Sequence, residues 1–139
     1  MSVLIDTSLL LASMFSKDRY HVQARQAMQA LKGEDIRLMP SPVVYELFYM
    51  MAARTDYQRA IGLFEMLQTS AFEIIRLTDG DFQRMAEIMH QYANAEFDFA
   101  DVAIMALSER LTITQIYTFD RRDFNIFRPK HCPALELLP

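Results

Sequence analysis

The chain has 139 residues, 52% hydrophobic and 23% charged. That size and balance define one folded domain with its own core, spanning residues 1–139, and exclude a disordered tail. Its 14 basic and 18 acidic residues give a net charge of −4, which excludes a grip on nucleic acid by bulk positive charge and leaves only local basic groups or bound cations for that task. Cys132 is the single cysteine, so no internal disulfide forms, in keeping with a reducing cytoplasm. The opening Met1 to Asp6 lacks the charged start and long apolar stretch of a signal peptide, and no apolar run reaches the length of a membrane span.

The first element is a short apolar run, Ser2 to Ile5, which suits a strand buried on both faces and ends at Asp6. Thr7 and Ser8 are placed to cap a short helix through Leu9–Ala12. Helical spacing of Tyr20, Ala24, Ala27, Met28 and Leu31 predicts a helix over Ser16 to Lys32, stopped at Gly33. Ile36 to Met39 reads as a second strand. Ser41 and Pro42 are a helix start, serine as cap and proline in the first turn. The helix runs to about Arg54 and is apolar around nearly its whole circumference, so it is either buried or covered by a partner. Glu46 is its only carboxylate.

Asp56 caps a further helix, Tyr57 to Thr69, with Ala60, Ile61, Leu63, Phe64 and Leu67 inward. Phe72 to Leu77 is a third strand. Thr78 and Asp81 have capping-box spacing ahead of a helix carrying Phe82, Met85, Ile88, Met89 and Tyr92. Glu96 to Arg110 opens with three carboxylates in six positions and then turns apolar: a loop entering a helix, with Asp98 as cap and Asp101 three residues on. Ile113 to Phe119 is a fourth strand ending at Asp120, followed by a polar turn, Arg121 to Phe124. Ala134 to Leu138 is a fifth. Strands alternating with helices predict a single α/β domain with a central parallel sheet of four to five strands and helices on both faces.

In such sheets the crevice lies beyond the carboxyl ends of the strands. Asp6 and Asp120 sit at such ends, Glu46 one to two turns into the helix after the second strand, and Asp98 and Asp101 at another helix start. Carboxylates gathered there repel one another unless a cation neutralises them, and hard cations such as Mg²⁺ and Mn²⁺ prefer oxygen ligands. Such ions activate water and stabilise the leaving oxygen in phosphodiester cleavage. The chain offers no Gly-rich phosphate loop and no Gly-x-Ser-x-Gly elbow, and His21, His90 and His131 lack metal-ligand spacing. Each acid also has a plainer use. Asp98 and Asp101 are a cap and its companion, Asp120 caps the Arg-Arg turn, Glu46 is a solvated helix residue, and Asp123 is a turn residue rather than a direct ligand.

Four motifs in order, Val3-Leu-Ile-Asp6-Thr-Ser, Ser41-Pro-Val-Val-Tyr-Glu46, Phe97-Asp-Phe-Ala-Asp101-Val-Ala-Ile-Met-Ala and Tyr117-Thr-Phe-Asp120-Arg-Arg-Asp-Phe124, resemble the PIN domain, most of all its bacterial VapC-type members. Val102 departs conservatively from the alanine commoner after the aspartate. The resemblance implies that Asp6, Glu46, Asp101 and Asp120 form an acidic Mg²⁺ or Mn²⁺ site for RNA cleavage, leaving 5′-phosphate and 3′-hydroxyl ends, with Asp98 as accessory ligand. Thr7, Ser8 and Thr118 would support the ligand carboxylates. Arg121 and Arg122, with Arg128 and Lys130, are candidates for RNA phosphate contacts or a solvated basic turn.

It further implies a homodimer blocked by a VapB-type antitoxin in a hydrophobic groove, for which Tyr45, Phe48, Tyr49 and Met51 are candidates, core packing being their plainer use. The function expected is a cytoplasmic endoribonuclease, the toxin of a toxin–antitoxin pair. The alternatives are a PIN nuclease of RNA processing, a non-catalytic RNA- or protein-binding module, and a structure-specific DNA nuclease, for whose added DNA-binding elements the chain is short.

Overall fold

The computed structural model describes residues 1–31, 33 and 35–139. Strands β1 (Ser2–Ile5), β2 (Ile36–Pro40), β3 (Phe72–Ile75), β4 (Gln115–Tyr117) and β5 (Glu136–Leu138) form one sheet in the order β3-β2-β1-β4-β5, every pairing parallel. The fold is the expected single α/β domain. From β1 the chain steps outward to β2 and β3, then returns to the other side of β1 for β4 and β5. The strand order therefore reverses between β1 and β4, and a crevice opens there beyond the strand ends. Val3, Leu4 and Ile5 are buried, as a central parallel strand requires.

Helix α1 (Thr7–Met14) begins one residue earlier than the expected caps, and its cap is Asp6, whose Oδ1 accepts the Thr7 N–H at 2.8 Å. Helix α2 is shorter than expected, His21–Ala30. Asp18 diverts residues 16–20 into a turn: its Oδ1 accepts the Tyr20 N–H at 2.8 Å and its carbonyl accepts the His21 N–H at 3.0 Å. His21 Nδ1 lies 2.8 Å from the Ala12 carbonyl and ties the turn to α1. The expected end at Lys32 lies outside the described residues.

Helix α3 (Ser41–Arg54) ends at Arg54 as expected, but Pro40 and not Ser41 takes the cap position, Ser41 is already helical, and no side chain caps the start. It is neither fully buried nor fully covered. Val43, Leu47 and Met51 enter the core, while Tyr45 and Tyr49 are 72% and 63% exposed. Met51 thus belongs to the core and not to a groove. Helix α4 (Tyr57–Thr69) is capped by Asp56 as expected, but Phe64 faces solvent while Ala60, Leu63 and Leu67 pack inward.

Helix α5 (Asp79–Gln91) carries the complete Thr78–Asp81 capping box. Asp81 is buried and also accepts Arg110 Nε at 2.8 Å. Burial would raise the Asp81 carboxyl, but Arg110 and the Thr78 N–H outweigh it and hold it below the usual range. Removing the guanidinium leaves a buried, half-partnered carboxylate. Arg110→Ala is expected to cost about 2–3 kcal/mol, read as a lowered denaturant midpoint with unchanged slope.

Helix α6 (Phe99–Arg110) is the central helix. Every residue from Ala100 to Ser108 is buried, so its small and β-branched residues are those of a helix packed on all sides. A short helix, α7 (Arg122–Ile126), follows β4 and packs on α6. Strands β3, β4 and β5 are shorter than expected.

Candidate metal and active site

A cleft of about 410 Å³ opens at the strand reversal, lined by six carboxylates, Asp6, Asp18, Glu46, Asp98, Asp101 and Asp120, and one cation, Arg54. The acids arrive from β1, α3, the start of α6 and the end of β4. The expected set Asp6, Glu46, Asp98, Asp101 and Asp120 is thus brought to one place across 115 residues of sequence.

Asp6 is 3% exposed and is held by three donors. The Thr7 N–H reaches Oδ1 at 2.8 Å, and the Thr118 and Ser8 hydroxyls reach Oδ2 at 2.7 and 3.1 Å. The two hydroxyls also touch each other at 3.1 Å. Each carries one proton, and the shorter contact assigns the Thr118 proton to Asp6. Thr118 Oγ1 then accepts the Asp120 N–H at 3.0 Å, and Ser8 Oγ accepts the Phe119 N–H at 2.9 Å. Ser8 and Thr118, 110 positions apart, join the end of β1 to the loop carrying Asp120. Burial raises the Asp6 carboxyl, the three donors oppose that, and the Asp120 charge adds to it; the net direction is upward.

Asp98 takes the cap position of α6 but makes no capping hydrogen bond. It is not spent on the helix and faces the cleft. Asp101 is buried within the first turn. Its carboxyl is pushed up to about 9, by burial first and then by Asp6, Asp123 and Asp120. Glu46 is half-buried and raised by burial, with Asp98 and Asp6 adding to the rise and Thr7 opposing it. Among the described residues, the Thr7 hydroxyl oxygen is one of few buried polar side-chain atoms without a hydrogen-bond partner.

Asp123, expected as a turn residue, is instead buried in α7, paired with Arg122 Nη1 at 2.8 Å and close enough to Asp101 to raise its carboxyl. The basic residues are less concentrated than the acids. Arg122 is engaged by Asp123 and the Ala95 carbonyl, and Arg121 is exposed and bonds the Pro139 carbonyl. Arg128 folds onto the Asn125 and Phe127 carbonyls, and the Lys130 N–H serves Glu109. The cation in the cleft itself is Arg54, which sequence reasoning missed. Its signal was position: it lies two turns after Glu46 on the same helix, where i and i+8 share a face.

Substituting Thr118 by valine keeps the shape and removes one Asp6 donor and the Asp120 N–H acceptor. Thr118→Val is expected to cost about 1–3 kcal/mol by leaving the buried Asp6 carboxyl one donor short, read as a lowered denaturant midpoint with unchanged slope.

The order of strands, the crevice and its acids define a class, and the chain belongs to it: residues 3–128 match the PIN domain, and this protein is a member of that family. It is 28% identical over 127 residues to ribonuclease VapC26 of Mycobacterium tuberculosis, covering 91% of this chain and 93% of that protein. Its fold is similar to that of M. tuberculosis VapC20, a sarcin–ricin loop cleaving toxin, with a TM-score of 0.77 and 17% identity over 86% of this chain and 91% of that one. It is also similar to VapBC2 from Rickettsia felis, solved bound to a DNA fragment from the promoter, with a TM-score of 0.75 and 13% identity over 100% of both chains.

Proposed function

We propose that this protein is an endoribonuclease that hydrolyses RNA phosphodiester bonds with a bound Mg²⁺ or Mn²⁺, and that it acts as the toxin of a VapBC-type toxin–antitoxin pair. The observation that carries the reading is the cleft. Six carboxylates facing one lining cation are costly to hold together unless divalent positive charge is supplied.

The donor chemistry fits a hard cation. Every candidate ligand is an oxygen, and the buried Thr7 hydroxyl stands beside Glu46. Among the described residues no three acidic, histidine or cysteine side chains close on a single point. A Mg²⁺-type ion would need only one or two carboxylates, water and phosphate oxygens completing its shell.

In this reading Asp6, Asp101 and Asp120 would hold the ion, with Asp98 as an accessory ligand. When bound, the ion would lower the pKa of the attacking water and offset charge developing on the phosphate. Ser8 and Thr118 fix Asp6 in one orientation. Glu46, raised above the usual carboxylate range, orients the attacking water and accepts its proton. Arg54 draws the phosphate into the acidic cleft, and exposed Arg121 meets the RNA backbone further out. The products are a 5′-phosphate and a 3′-hydroxyl.

The partner reading rests on the outer face of α3. Tyr45 borders two surface grooves of about 680 and 730 Å³. The first includes Tyr49 with the site residues Glu46 and Asp98, and the second includes Phe48, Tyr57 and Phe64. An antitoxin segment lying along them would cover apolar surface and abut the carboxylates. A second copy of the chain would use the rest of this face in the homodimer. No helix among the described residues is long and apolar enough to cross a membrane.

The test is cleavage of mixed cellular RNA by purified protein freed of any partner, with Mg²⁺ or Mn²⁺, with chelator, and with Asp6→Asn beside wild type. Metal-dependent cutting by wild type alone supports the reading. Folded protein that binds neither ion would overturn it.

A further inference from the structure

The rim of the cleft carries an aromatic pair to which the carboxylate chemistry assigns no task. Tyr20 and Phe119 both line the cleft, and their rings stack at 4.5 Å between centroids and 5° between planes. The other aromatic contacts among the described residues are tilted more or set further apart. Both rings are only partly buried. The exposed Arg19 guanidinium lies 4.5 Å from the Tyr20 ring centroid and bonds its hydroxyl.

The pair is built into the site rather than resting on it. Phe119 stands between Thr118 and Asp120, and its N–H is held by Ser8 Oγ, which also bonds Asp6. Tyr20 is fixed by the Asp18 turn, and its carbonyl accepts the Ala24 N–H as α2 begins. A flat aromatic surface in a cleft of carboxylates, capped by an exposed guanidinium, has the chemistry of a nucleobase platform. Bases of single strands stack on aromatic rings and on Arg planes, whereas the paired bases of a duplex expose no face. An acidic protein without a broad basic surface also depends more on such stacking to hold its substrate.

We propose that Tyr20 and Phe119, with Arg19 as the outer layer, form a stacking platform for one base of single-stranded RNA beside the scissile phosphate. The proposal rests on the nuclease reading for its substrate. The platform accepts any base and therefore sets strandedness rather than sequence.

The experiment uses short single-stranded oligoribonucleotides, each with one 2-aminopurine at a different position, whose fluorescence is quenched on stacking. Binding is read in the Asp101→Asn background, so that the RNA stays intact, and steady-state cleavage in the otherwise wild-type protein. Tyr20→Leu keeps apolar cover and removes the ring. It is expected to raise KM about tenfold or more, leave kcat within about twofold and abolish quenching, with Mn²⁺ affinity unchanged. Tyr20→Phe should retain all of these, because stacking needs no hydroxyl. Arg19→Ala, an exposed change that cannot disturb the core, should raise KM to a lesser degree.

Unchanged KM and quenching in Tyr20→Leu would overturn the platform, as would a fall in kcat at constant KM. Should Tyr20→Leu fail to fold, Phe119→Leu and Arg19→Ala carry the same test. A protein that quenches through Tyr20 but cuts no RNA would refute the nuclease reading and leave the platform standing.

Discussion

Asp101→Asn is expected to lower RNA cleavage by about 10³-fold or more while the protein remains folded. The reason is where Asp101 sits. It is buried in the first turn of α6, beside Asp6, Asp120 and Asp123, and α6 is packed on nearly every side. A ligand on such a helix cannot be replaced by moving a neighbour into its place. Asparagine keeps the volume and removes the charge, so under the proposed mechanism the loss would be that of cation binding. Product yield from a fixed RNA over a range of Mn²⁺ concentrations measures it. Activity restored in the variant by excess Mn²⁺ would show weakened binding alone; activity within tenfold of wild type at every concentration would remove Asp101 from the machinery.

The second large effect is on stability, and its sign follows from the same carboxyl. Asp101 titrates near 3.8 in the unfolded chain and near 9 in the metal-free fold. Below about pH 4 both states hold the proton and the contribution is fully present. As pH rises the unfolded chain releases the proton and the fold retains it, so stability falls, by at most about 1.4 kcal/mol per pH unit, until the fold too ionises near pH 9. Asp6 and Glu46 are raised as well and act in the same direction. Asp81 and Glu109 are lowered and act oppositely, but their windows lie at and below their ordinary pKa values, under pH 5.

Chelated wild-type protein is therefore expected to melt at progressively lower temperature from pH 5 to pH 8.5. Asp101→Asn should show a shallower fall and a higher melting temperature at pH 8. Mn²⁺ should stabilise wild type most at the alkaline end, where it replaces protons as the neutralising charge. Parallel pH curves for the two proteins would contradict the assignment.

The capping box at Thr78 and Asp81 was readable because both of its hydrogen bonds lie within four residues. Asp98 and Asp101 have nearly the same local pattern, yet neither is a cap in that sense, and sequence alone does not separate the two uses. What separates them is the cleft: a helix-start carboxylate is free for other work when its capping bond is absent. Alternation of strands and helices made the parallel sheet legible, and with it the strand ends where Asp6 and Asp120 sit. Residues 16–20 were misread because Tyr20 stands in helical spacing with Ala24 and Ala27, whereas the Asp18 side chain turns the backbone just before it. Asp123 was read as a turn residue because its burial comes from α7 packing on α6, a contact no local pattern encodes. The Tyr20–Phe119 stack joins residues 99 positions apart, beyond the reach of any local pattern.

The hydroxyl junction of Ser8 and Thr118 has a consequence during synthesis. Asp6 acquires its Thr118 donor, and its companion Asp120, only after the end of β4 has been made. Synthesis runs from the N-terminus, so Asp6 is made well before Thr118, the residue that gives it its shortest hydrogen bond. Any part of this sequence that stops short of Thr118 thus lacks the donor that joins Asp6 to the loop carrying Asp120, and with it the shared geometry of the cleft.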